Sequence, residues 1–164
     1  MSVNALVGIA EYLNSVYDPD VDYVDGELED RYVGEKDHAK LQVRMLQLFG
    51  KLNAKWFVII ETRMRASPAR FRIPDVCVYE REPEEQIFTA SPLVVIEVLS
   101  PDDRMTRMHS KLDDYYTMGC RNIWILDPWE KRAFEYNGTA TTEVYDKLSV
   151  SGFDINLSEI FPEK

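Results

Sequence analysis

The segment Leu93-Val94-Val95-Ile96-Glu97-Val98-Leu99 constrains this chain most, because it is aliphatic throughout except for one acid. Such a run reads as a central strand covered on both faces. An ionised carboxylate inside it is costly unless it is paired or bound to a metal. Glu97 is therefore either an acid at a strand end, turned to solvent or paired with a core arginine, or the mark of a functional site.

The rest of the chain supplies a frame for that strand. Apolar spacing predicts a helix over Val3 to Tyr17, stopped by Asp18-Pro19-Asp20. Val21 to Val24 and Glu27 to Val33 flank Asp25-Gly26, a pair that favours a type I′ hairpin. Leu41, Met45, Leu48, Phe49 and Leu52 share one face of a helix over Asp37 to Leu52. Strands follow at Trp56 to Thr62, Phe71 to Tyr79 and Leu93 to Leu99. Ser100-Pro101-Asp102-Asp103 opens a helix that runs to Met118, with Gly119 as its stop. Asn122 to Leu126 reads as a further strand, Arg132 to Tyr136 and Glu143 to Val150 as a closing hairpin, and the tail from Asn156 as a helical turn. This order predicts an α/β (α+β) fold with a central mixed sheet flanked by helices.

At 164 residues, with no repeat, linker or low-complexity tract, the chain reads as one domain over residues 1–164. Cys77 and Cys120 stand apart without a second Cys or His nearby, so a thiolate zinc site is excluded and both read as small buried groups in a reducing compartment. No apolar run has the length of a membrane span, and the N-terminus lacks a signal-peptide pattern, so a cytoplasmic protein without membrane association is expected. The formal charge of −10 excludes nucleic-acid binding by bulk electrostatics alone. It leaves open an acidic enzyme that meets phosphate through a metal and a local basic patch.

Two further positions accompany Glu97. Asp75 follows Pro74 inside Arg72-Ile73-Pro74-Asp75-Val76-Cys77-Val78, where the proline suits a strand start or a bulge that re-aims a side chain. Alone, Pro-Asp marks only a turn. Paired with an acid on the next strand, it offers hard oxygen ligands for Mg²⁺ or Mn²⁺. Lys111 shares a helix face with Arg104 and Arg107. A helix folded back on the Glu97 strand brings Lys111 to about the depth of Glu97, some 10 Å along the helix axis. The alternative is a solvated basic face.

Ile73-Pro74-Asp75-Val76, Val95-Ile96-Glu97-Val98-Leu99-Ser100-Pro101, Lys111-Leu112, Tyr115 or Tyr116, Gly119 and Trp124-Ile125-Leu126-Asp127-Pro128 together resemble the Uma-two family, from the Asp25-Gly26-Glu27 turn to about Tyr136. That family is similar to the PD-(D/E)XK nucleases. The resemblance implies a restriction-endonuclease-like fold with an N-terminal helix and hairpin, and DNA as substrate. It implies Asp75 and Glu97 as catalytic and metal-holding acids, with the Val98 carbonyl as a further ligand. The motif lysine is absent two residues after Glu97, where Leu99 stands, and the family supplies it from the next helix, at Lys111. His38 matches a family histidine and is an accessory candidate, as is Arg104; a surface polar cluster is the other reading of His38. Arg107 departs from the family, which usually has Asp there. The mechanism implied is Mg²⁺- or Mn²⁺-assisted phosphodiester hydrolysis, with Lys111 orienting water or stabilising the transition state. Arg63, Arg65, Arg70 and Arg72 are expected to form a phosphate-contacting rim, and a homodimer is expected. Two other readings stay open: a non-catalytic interaction module of the same fold, and a homodimeric α/β protein whose acids are structural.

Overall fold

The structure is a computed structural model and describes residues 5–32, 34–101, 103 and 105–163. Its elements run α1 (Ile9–Asn14), β1 (Asp22–Val24), β2 (Glu27–Glu29), α2 (Lys36–Leu52), β3 (Phe57–Ile60), β4 (Met64–Ser67), β5 (Arg70–Arg72), β6 (Val76–Tyr79) and β7 (Val94–Val98). They continue with α3 (Met105–Met118), β8 (Asn122–Asp127), β9 (Arg132–Tyr136), β10 (Thr141–Val144), β11 (Lys147–Val150), β12 (Phe153–Asn156) and α4 (Leu157–Ile160). Among the described residues no helix is long and apolar enough to cross a membrane.

The central six-stranded sheet has the order β10-β9-β8-β7-β6-β3. β7 and β8 are parallel, joined by α3 as a crossover, and the other neighbours are antiparallel. β7 is buried along its whole length, as its composition requires. Its side chains alternate between two layers. Val94, Ile96 and Val98 enter a core shared with Leu41, Met45 and Phe49 of α2 and with Trp124. Val95 enters a core shared with Leu112 and Tyr115 of α3. Glu97, two residues on from Val95, therefore stands on the α3 side. Cys77 and Cys120 are buried free thiols in that same layer.

The N-terminal helix and hairpin are present. Asp25 and Gly26 both take positive φ, 51° and 98°, the geometry of a type I′ turn. β1 and β2 join β5 and β4 in a separate four-stranded sheet, order β2-β1-β5-β4. α1 is shorter than the Val3 to Tyr17 expectation: Ser15 N–H bonds back to the Tyr12 carbonyl and closes it.

Two expected strands are each divided. Phe71 to Tyr79 is split at Ile73-Pro74-Asp75 into β5 and β6, which lie in different sheets. Pro74 has no N–H for a ladder, its carbonyl accepts from Glu61 N–H (3.1 Å), and Ile73 N–H is drawn off to Asp22 Oδ1 (2.9 Å). Glu143 to Val150 is split at Tyr145-Asp146, so that β10 pairs with β9 while β11 pairs with β12. β4 escaped the sequence reading because Met64-Arg65-Ala66-Ser67 holds no β-branched or aromatic residue.

The arginine rim is corrected at Arg63, Arg70 and Arg72. Arg72 has no exposed side-chain surface. It binds Asp114 Oδ2 (2.6 Å), Glu29 Oε2 (2.7 Å), Asp22 Oδ2 (3.3 Å) and Ser110 Oγ (3.0 Å). Arg70 pairs with Asp25 and Asp114, and Arg63 with Asp20 while lying over the Tyr12 ring. These guanidiniums hold the hairpin sheet to α3 and α1 rather than facing a ligand. A buried charge network leaves unpaired carboxylates when its centre is removed. Arg72→Ala is therefore expected to lower the unfolding free energy by about 3–5 kcal/mol in urea titrations. A loss under about 1 kcal/mol would contradict the network's structural role.

Candidate active site

The division at Pro74 is what builds the site. β6 and β7 are antiparallel with Val76 opposite Ile96. Extending that register by one residue sets Asp75 opposite Glu97. Asp75 then occupies the ladder position left by the proline: its Oδ2 accepts from Val98 N–H at 2.7 Å. His38 Nε2 of α2 lies 3.3 Å from the same oxygen, and Arg31 Nη2 lies 3.4 Å from Oδ1. Gln42, one turn after His38, donates to the Asp75 carbonyl (3.4 Å) and to Glu61 Oε1 (3.0 Å). His38 fits because residue 34 is glycine, where a Cβ would lie 2.7 Å from His38 Nδ1.

Glu97 is held from α3. Tyr115 hydroxyl donates to Oε1 at 2.6 Å, and Lys111 Nζ donates to Oε2 at 3.0 Å. Lys111 also donates to the Ile73 carbonyl (3.1 Å) and sits 3.7 Å from Asp22 Oδ2. Asp75, Glu97, Val98, His38 and Lys111 all line one cavity of about 270 Å³, together with Asp22, Arg31, Ser100 and Arg107. Arg104 lies outside the described residues.

The charges follow from these contacts. Burial would raise the pKa of Asp75, but His38, Lys111 and the Val98 N–H outweigh it and hold it below its usual value. Burial and the neighbouring Asp75 charge push Glu97 up to about 7, against Lys111 and Tyr115. Burial disfavours charge on Lys111, yet Asp22 and Glu97 raise its pKa. His38 is raised likewise, Asp75 overcoming burial.

Asp22, Arg31 and Tyr115 escaped the sequence reading as site residues. Asp22 sits in an ordinary hairpin strand, and Arg31 in a loop. Neither carries a local signal, because their roles depend on partners about 44 to 89 residues away in the chain.

Among the described residues no group of three or more His, Cys, Asp or Glu is arranged to hold a metal. The donor set nonetheless suits a hard divalent cation, since Asp75 and Glu97 offer carboxylate oxygens with lone pairs to spare. Six carboxylates line the cavity against four Lys and Arg side chains, an excess of two negative charges with His38 neutral. Burial is the main cause of the raised Glu97 pKa, and the nearby Asp75 and Asp22 charges add to it.

The family model of Uma2, described as "Putative restriction endonuclease", matches residues 9–163. The chain belongs to the Uma2 family. Its fold is also that of a solved structure from Anabaena variabilis, titled a putative nuclease belonging to DUF820. The two share a TM-score of 0.83 and 20% identity, over 94% of this chain and 97% of that one. No curated protein matches the chain. The Uma2 match covers the hairpin, both acids and α3, so the segments that resembled the family lie within one continuous match.

The Glu97 shift makes a testable demand on stability. In the fold its pKa is raised to about 7 from about 4.5. The folded protein thus keeps a proton that the unfolded chain releases, and the associated stability is present below about 4.5 and lost as pH rises to about 7. Glu97→Gln, neutral throughout, should gain on wild type by about 3 kcal/mol between pH 4 and pH 8 in urea unfolding with EDTA. A difference independent of pH would show that Glu97 is not destabilised in its charged form.

Proposed function

We propose that this Uma2 protein is a Mg²⁺- or Mn²⁺-dependent endodeoxyribonuclease. The observation that carries the reading is the convergence of Asp75 from the break before β6, Glu97 from β7 and Lys111 from α3 on one cavity. The family description supports a nuclease. The finer roles rest on the geometry.

Asp75 and Glu97 would hold the divalent ion, with the Val98 carbonyl completing the protein's share of the ligands. When bound, the ion lowers the pKa of a coordinated water and offsets phosphate charge. Lys111 keeps a compact ammonium beside Glu97, where it orients the attacking water and stabilises negative charge developing on the phosphate. Asp22 and the Ile73 carbonyl fix that ammonium in place. Tyr115 fixes the Glu97 carboxylate, and His38 and Arg31 fix Asp75.

A second reading, a non-catalytic nucleic-acid-binding module, is favoured by the engagement of both Asp75 and both Glu97 oxygens by internal donors. Cleavage separates the two. Single- and double-stranded DNA is incubated with the protein in Mg²⁺ or Mn²⁺ across several salt concentrations. Wild type is expected to cleave, and to stop in EDTA or on Asp75→Ala or Glu97→Ala. Lys111→Ala should lower kcat by about 10²–10³-fold while metal affinity, measured by calorimetry, stays within about twofold. No cleavage by wild type in any condition would contradict the nuclease reading. Undiminished cleavage by Lys111→Ala would contradict the role of the lysine.

A further inference from the structure

We propose that Arg107 and Ser100 form a subsite for a backbone phosphate neighbouring the scissile one. This rests on the nuclease reading and adds to it the direction in which the substrate strand leaves the site.

The first observation is an unpartnered hydroxyl. Ser100 is 7% exposed and lines the cavity, and its Oγ is enclosed with no hydrogen-bond partner among the described residues. A buried hydroxyl left unpaired is costly, and in a cavity wall it marks a group that a ligand completes. Its main-chain N–H is already committed to Asp103 Oδ2.

The second observation is an unpaired cation. Arg107 lines the same cavity, is exposed, and makes no ion pair with any described residue. Every other cation on the cavity wall is engaged: Arg31 with Asp75, Arg72 with three acids, and Lys111 with Glu97. Asp103, the acid four residues before Arg107 and ahead of α3, has its carboxylate turned to the Ser100 N–H, and it makes no ion pair with Arg107.

The third observation is placement. Arg107 and Lys111 are one turn apart on α3, about 6 Å along its axis, and both face the cavity. The group that Arg107 binds therefore lies beside the position served by Lys111, toward the N-terminal end of α3. Its ligand must be an anion, and a planar guanidinium with a hydroxyl donor suits the two free oxygens of a phosphodiester. In a cavity with excess carboxylates, one uncommitted arginine is also what lets an acidic protein hold a strand.

The test uses the full chain carrying Lys111→Ala, which keeps both acids and turns over substrate about 10²–10³-fold more slowly than wild type. Binding of a fluorescent single-stranded oligodeoxynucleotide is measured by anisotropy in Mn²⁺ at several salt concentrations. Adding Arg107→Ala should weaken binding about tenfold and reduce the salt slope by about one phosphate contact. Arg107→Lys should restore the slope and only part of the affinity. Ser100→Ala should weaken binding severalfold with the slope unchanged, since no charge is lost. In the Lys111-containing protein, Arg107→Ala should raise KM more than it lowers kcat. Inorganic phosphate should compete with the oligonucleotide less well in Arg107→Ala than in its parent. Arg107 is exposed, so the melting temperature should not move. Unchanged affinity and slope in Arg107→Ala, with a parent that binds, would overturn the subsite and leave the nuclease reading intact. A parent that binds no oligonucleotide, and a wild type that cleaves none, would overturn both.

Discussion

A guanidinium with no exposed surface organises this molecule. Arg72 lies at the end of β5 and meets Asp22 of β1, Glu29 of β2, and Asp114 and Ser110 of α3. A charge so enclosed is tolerated only when its donors are all matched, so the hairpin sheet and α3 must dock in one relation. That relation sets the height of Lys111, since Asp22, which binds Arg72, also flanks the Lys111 ammonium. Asp22 further takes the Ile73 N–H and so fixes where β5 ends and Asp75 begins. One carboxylate thus connects the docking of the hairpin sheet on α3 to the placement of both a lysine and an acid.

The consequence at the site is a deliberate imbalance of charge. Asp75 is held ionised by its donors, whereas burial and the Asp75 charge push Glu97 toward neutrality despite Lys111 and Tyr115. Two carboxylates with separated pKa values recur where a protein must bind a cation or move a proton. A group held in an unfavourable charge state lowers stability, and the apolar layers on either side of β7 supply the offset. The site therefore depends on a strand buried on both faces, which is also the segment most conspicuous in the sequence.

What could be read from the sequence follows from how local each signal is. The acid in an aliphatic run, the Asp-Gly hairpin and the amphipathic faces of α2 and α3 are set by nearest neighbours, and the fold was legible from them. The break at Pro74 was only half legible. The proline signalled a bulge, but the transfer of β5 to another sheet depends on Asp22, some fifty residues earlier. Arg72 was misread for the same reason: an arginine in a strand reads as exposed until three distant acids enclose it. Matching depths along a strand and a helix left Lys111 open between the site and a solvated basic face, and the family resemblance selected it; its ammonium lies 3.0 Å from Glu97 Oε2.

The central claim is that Asp75 and Glu97 share one divalent ion. Anomalous diffraction from crystals grown in Mn²⁺ tests it most directly. The account predicts one strong manganese peak at bonding distance, about 2.2 Å, from a carboxylate oxygen of each residue, with the Lys111 ammonium displaced from Glu97 Oε2 but still inside the cavity. A peak elsewhere, or none there at saturating Mn²⁺ with Lys111 still bound to Glu97, would contradict it.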